Sequence, residues 1–186
     1  MTPLRAIAPT LPGVTPGPQL LMADGPALPV LAPRAELITI EAIARGLSRI
    51  CRWGGHTREW FSVAQHSVLV SRCLPRETAL WGLLHDASEA YLGDVPRPVK
   101  TLPALAGYRA LEALWQRSIY HRFGLVGELP ADVTLADDAV LAWERRDLVD
   151  GAVRQAGLPP ETLRGLRSVA AEQFFLARFQ ELTHEQ

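Results

Sequence analysis

The stretch Leu80 to Lys100, LWGLLHDASEAYLGDVPRPVK, begins as an apolar helical run and then fills with charge. His85 and Asp86 sit side by side within the run, Glu89 follows one turn on, and Asp94 stands just past Gly93. An imidazole and three carboxylates are expensive to bury unless they are paired or hold a cation. The stretch therefore reads as the centre of a divalent-metal site carried on a helix. That helix is predicted from Arg76 to about Leu92, stopped by Gly93 and by Pro96 and Pro98.

Helical periodicity extends on both sides. Thr39 is placed to cap a helix through IEAIARGLSRICR, with Ile40, Ile43, Ala44, Leu47 and Ile50 on one face. WGGHTRE reads as a loop, and FSVAQHSVLVSRCL as a second helix ended by Pro75. Downstream, LAGYRALEALWQRSIYHRFGL is a long amphipathic helix and ADVTLADDAVLAWERRDLV another, to about Val149. A loop around Pro159-Pro160 leads to a last helix through AAEQFFLARFQELT. Alternation of the parallel-sheet kind is absent, so the expected class is all-α, a bundle of about six helices. Residues 1–36 stand apart, rich in proline and poor in charge: a flexible tail of about eighteen residues, then a small edge β-hairpin about Ala23-Asp24-Gly25. Residues 37–186 make one domain.

Composition narrows the function. The chain has 186 residues, 48% of them hydrophobic and 21% charged, with a net charge of -1. Such a balance exerts little pull on long nucleic acid or on an anionic membrane. Lys100 is the only lysine among 19 basic residues, the rest being arginines suited to binding phosphate with two parallel hydrogen bonds. Cys51 and Cys73 lack a CxxC arrangement and read as reduced structural thiols. No run approaches the ~18 apolar residues of a membrane span, and the start does not read as a signal peptide. The expected location is the cytoplasm.

The candidate metal ligands are His66, His85, Asp86 and Asp137. Each of His66 and Asp137 alone reads as an ordinary residue of an apolar helix; polar groups on three helices without local partners suggest a shared one. Two imidazoles and two carboxylates suit Mn²⁺, Co²⁺, Fe²⁺ or Zn²⁺ better than Ca²⁺ or Mg²⁺. Asp137 is chosen over its neighbour Asp138 because it shares a helical stripe with Leu141 and Glu144.

The order His66, His85-Asp86, Asp137 resembles the HD superfamily of metal-dependent phosphohydrolases. Over roughly residues 37–150, HDASEAYLGDVPRPVK, Arg52-Trp53, SVAQHS around His66 and ADDAVLAWERRDL are similar to bacterial 5′-deoxynucleotidases and bacteriophage dATP triphosphohydrolases. The resemblance implies an HD-type helical domain that hydrolyses deoxynucleotides at the phosphorus bearing the 5′ oxygen. A monophosphate would give phosphate, and a triphosphate, with an additional Mg²⁺, would give intact triphosphate. It implies that His66, His85, Asp86 and Asp137 bind metal, that Glu89 handles the attacking water, and that Asp94 lies near the reacting phosphate or its leaving oxygen. Arg52 would hold phosphate, and Trp53 would lie against sugar or base. Glu89 follows Asp86 by three residues on one helix face, which suits a catalyst beside a ligand. Lys100 is open to two readings, a contact to phosphate or a solvated helix-start lysine. His56 could line the pocket or be a surface or structural histidine. His121 and His184 read as exposed, Glu144-Arg145-Arg146-Asp147 as a helix surface with Glu144 excepted, and the tryptophans other than Trp53 as core. The partner is a small nucleotide. Homo-oligomers are common in this group, and the helix at 107–124 could supply an interface. Two alternatives stand beside this function: a non-catalytic nucleotide sensor, and a hydrolase of cyclic or oligonucleotide phosphodiesters.

Overall fold

The computed structural model describes residues 17–23, 25–151, 157–159 and 161–184. The expected tail and Asp24 of the expected turn lie outside them, except for Gly17 and Pro18. The chain is mostly helical, as the periodicity predicts. Among the described residues, six helices of nine residues or more carry it: α1 Ile40–Ser48, α2 Val63–Arg72, α3 Arg76–Leu84, α6 Ala106–Arg122, α7 Ala131–Glu144 and α8 Ser168–Thr183. Two short helices, α4 Glu89–Leu92 and α5 Arg97–Lys100, lie between α3 and α6. The hairpin is present in miniature: β1 Gln19–Leu20 pairs antiparallel with β2 Leu28–Pro29. No described helix is long and apolar enough to cross a membrane.

Local chemistry explains the ends. Thr39 accepts the amide of Ala42 at the start of α1, and Ser62 accepts that of Gln65 at the start of α2. The apolar faces then meet. Ile43, Leu47, Ala64, Leu84, Trp115 and Phe175 belong to one core contributed by α1, α2, α3, α6 and α8. A second cluster, Val70, Trp81, Val133, Ala136 and Val140, seats α7 on α2 and α3. The hairpin joins the main core through buried Leu28, and the Trp115 indole donates to the Val30 carbonyl at 2.9 Å. Tryptophans 81 and 115 are core as expected, whereas Trp60 is 42% exposed.

The structure corrects the third helix. It does not run unbroken to Leu92: α3 ends at Leu84, and residues 85–88 form turns before α4. Bonds of the tighter i→i−3 kind take over, Ala87 to Leu84 and Glu89 to Asp86. Gln116 of α6 makes the break stable by serving both of its ends. Its amide donates to the Leu84 carbonyl at 2.6 Å, and its oxygen accepts the Ser88 amide at 3.0 Å. Gln116→Leu keeps the bulk, takes the partner from the Ser88 amide and leaves the Leu84 carbonyl only the Ala87 amide, so it should destabilise the fold by about 1–3 kcal/mol in urea unfolding. A loss under about 0.5 kcal/mol, the ordinary range for surface substitutions, would mean that water serves the break equally well.

A second correction concerns Glu144-Arg145-Arg146-Asp147. Helix α7 continues into a π-helical turn, Arg145–Asp150, which stops at Gly151 in the left-handed conformation. Arg145 alone behaves as surface, bonded to Asp150. Arg146 and Asp147 are buried against the loop that returns to α8. Arg146 donates to the carbonyls of Pro159 and Glu161, while Asp147 accepts the Leu163 amide at 2.7 Å.

Candidate metal centre and its cleft

His66 lies in the middle of α2 and is wholly buried. Its Nδ1 is 2.7 Å from a Glu144 oxygen, so this nitrogen donates and Nε2 is left as a lone pair aimed inward. His85, the residue after α3, does the same: its Nδ1 donates to the Gly82 carbonyl at 2.8 Å. The two Nε2 atoms face each other at 3.3 Å. Asp86 Oδ2 stands 3.3 Å from His85 Nε2 and 3.6 Å from His66 Nε2. Asp137 Oδ1, from α7, completes the group at 3.1 Å and 3.8 Å from His66 and His85. His66, His85 and Asp86 thus meet mutually, Asp137 approaches the two imidazoles, and Asp138 is exposed, 3.3 Å from Arg97. Arg97 also holds the outer oxygen of Asp137 at 3.2 Å.

Four inward-facing acceptor atoms repel one another unless positive charge lies among them. Either a proton or a cation can supply it. Burial by itself would lower the pKa of His85, but Asp86 and Asp137 outweigh it and push this imidazole up to about 10. Asp86 and Asp137 are held well below the carboxylate range: burial opposes this, and the neighbouring imidazoles overcome it. The residues fit a divalent transition metal. His66, His85 and Asp86 each offer a ligand atom within 4.8 Å of the others. Both histidines have the outer nitrogen tied to an acceptor, the arrangement that orients metal-binding imidazoles.

Beside the cluster is a cleft of about 540 Å³, lined by Arg52, Trp53, Asp86, Glu89, Asp94 and Asp137 together with the 95–101 segment and Leu141. A larger groove of about 660 Å³ runs between Arg49, Glu59, Trp60 and residues 165–169, and none of the cluster residues lines it. Glu89 is 3% exposed; Oε1 is 3.4 Å from Lys100 Nζ, and buried Oε2 has no hydrogen-bond partner among the described residues. Burial first, then Asp86 and Asp94, pushes Glu89 up to about 9. Burial likewise raises Asp94.

Arg52 is buried, with Nε 3.2 Å from Glu144 and a terminal nitrogen 3.7 Å from Asp86 and 4.0 Å from Asp94. Trp53 adopts φ 59° and ψ 26°, a left-handed conformation uncommon outside glycine, and its indole donates to Glu144 at 3.1 Å. Lys100 is not a helix-start lysine. It ends α5, with Nζ 2.7 Å from Glu112 and 3.4 Å from Glu89. His56 is exposed and does not line the cleft, and His121 and His184 are exposed as expected. Glu144, Glu112 and Arg97 join these contacts beyond what the sequence predicts. Only Glu144 left a trace in the sequence, its place on the Asp137 face.

No protein-family model matches the sequence. The chain is 39% identical over 153 residues to the uncharacterized protein YfdR of Escherichia coli (strain K12), spanning 78% of this chain and 85% of that one. It is 35% identical over 163 residues to an uncharacterized protein of Rhodobacter capsulatus, spanning 83% and 77% respectively.

Proposed function

The chain belongs to one family with YfdR and its Rhodobacter capsulatus relative, and we propose that it is a divalent-metal-dependent phosphohydrolase of the HD type acting on deoxynucleotides. The observation that carries this reading is the meeting of His66, His85, Asp86 and Asp137 at the wall of a cleft of nucleotide size. Those residues would hold the metal, and when bound it supplies a Lewis acid that lowers the pKa of water and offsets charge on phosphoryl oxygens.

The chain's own groups do the rest. Glu89, with an oxygen that no neighbour satisfies, orients and deprotonates the attacking water. That free acceptor favours catalysis over a non-catalytic nucleotide sensor. Asp94, raised by burial, is suited to lend a proton to the departing 5′ oxygen. Trp53 lines the cleft, where it would lie against sugar or base. Arg52, Arg97 and Lys100 edge the same cleft and offer cations to the phosphate. A cytoplasmic homo-oligomer is part of this reading.

Anchoring at Trp53 and at the metal makes the 5′ oxygen the leaving group and keeps any distal phosphates bonded to the attacked phosphorus, so a deoxynucleoside should always be a direct product. The test is a screen of nucleoside mono-, di- and triphosphates with Mn²⁺ or Co²⁺, with products resolved by chromatography. The expected result is deoxynucleoside plus phosphate, or plus unbroken triphosphate, with ¹⁸O from water in the phosphate species. Diphosphate plus orthophosphate from a triphosphate would overturn the anchoring. Label in the nucleoside hydroxyl would overturn attack at phosphorus.

A further inference from the structure

Glu144 is the last residue of α7 and has no exposed surface. Its carboxylate accepts from both sides. One oxygen takes the His66 Nδ1 proton at 2.7 Å; the other takes Arg52 Nε at 3.2 Å and the Trp53 indole at 3.1 Å. The first contact fixes which nitrogen of His66 faces the metal position. The second holds Arg52 and a Trp53 whose left-handed backbone is sparsely populated unless its surroundings impose it. We propose that Glu144 is a positioning residue that sets the metal ligand and the nucleotide-binding turn from a single carboxylate, so that the two halves of the site are fixed together. This inference rests on the proposed function.

Glutamine cannot do the same. Its amide has one acceptor oxygen, and its NH₂ would meet a donor on whichever side it faces. Turned toward His66, it favours the tautomer whose proton sits on Nε2 and blocks that nitrogen as a ligand. Turned toward Arg52 and Trp53, it releases the turn. Glu144→Gln should therefore weaken Co²⁺ binding, followed by visible absorption, by about 10–100-fold, the usual scale for residues that orient a metal-binding imidazole. It should also raise KM for a deoxynucleoside monophosphate by more than it lowers kcat at saturating Co²⁺.

The wild-type protein offers a second readout that does not depend on the variant folding. Zn²⁺ titration followed by proton NMR should move the His66 imidazole proton and the Trp53 indole proton in parallel, although the indole bonds only to Glu144. Trp53→Phe assigns the latter signal. Unchanged Co²⁺ affinity in Glu144→Gln, or a Trp53 proton that stays still while that of His66 moves, would overturn the inference and leave the proposed function standing. Wild-type protein that binds neither Co²⁺ nor Zn²⁺ would instead overturn the proposed function.

Discussion

Asp86→Ala should bind no Co²⁺ at concentrations that saturate the wild type and should hydrolyse no deoxynucleotide above background. Asp86 Oδ2 lies within 3.6 Å of both imidazole Nε2 atoms, so its removal takes away a ligand and the charge that draws a cation to them. Uncatalysed phosphate-ester hydrolysis is among the slowest of biological reactions, so loss of the metal should leave almost nothing to measure. Exhaustive chelation of the wild type should reproduce the loss, and Mn²⁺ or Co²⁺ should reverse it. Asp138→Ala is the contrast, since that carboxylate is exposed and meets only Arg97; its metal affinity should stay near wild type. Acidity should act in a defined direction. The His85 proton, held with a pKa pushed up to about 10, must leave before the imidazole can ligate. Apparent Co²⁺ affinity should therefore rise with pH, by up to about tenfold per unit below that value. Full activity in chelated, metal-free protein would remove the foundation of the proposed function.

The helices were legible because apolar spacing is a local property. Ile43, Ala44 and Leu47 lie on the buried face that their spacing predicts, and Thr39 caps the helix they begin. The approach of His66 and Asp137 was legible for a related reason: both interrupt apolar helices that offer them no local partner. The stripe that Asp137 shares with Leu141 and Glu144 also sets it apart from Asp138, which is exposed. What the sequence hid comes from partners far along the chain. The break at residues 85–88 depends on Gln116, 28 residues beyond Ser88, and nothing in HDASE announces it. Lys100 stayed open between a phosphate contact and a solvated lysine because Glu112, which holds it, sits on another helix. Arg146 and Asp147 looked like surface charges, since neutralising neighbours often mark a solvated face. Here the π-helical turn carries the pair to the returning loop, whose backbone groups they satisfy. The three partners of Glu144 likewise lie 78 to 92 residues away, beyond any periodicity argument.

Glu89→Gln should keep the metal and lose turnover, with kcat falling about 10²–10⁴-fold, the range for a positioned acid or base. The substitution conserves shape. It removes the proton acceptor and one of the negative charges near Asp86, so Co²⁺ affinity should fall by no more than about tenfold, a screened charge effect. The contrast with Asp86→Ala is what gives the test its force. The two residues are three apart, and Glu89 Oε1 is already engaged by Lys100 at 3.4 Å while buried Oε2 is left without a partner. A ligand in that position would lose metal and activity together; a base would lose activity alone. The pH profile supplies an independent reading. Burial with Asp86 and Asp94 pushes the carboxyl up to about 9 in the metal-free chain, and Lys100 and Arg52 pull the other way. A positive charge added beside Asp86 would lower it further, so the wild-type kcat should show an acid limb, rising as Glu89 loses its proton. In Glu89→Gln, assayed at saturating metal, that limb should vanish and the residual rate should be flat across the same interval. If the variant instead lost Co²⁺ in step with its activity, with turnover per bound metal unchanged, Glu89 would belong among the ligands and the water would need another base.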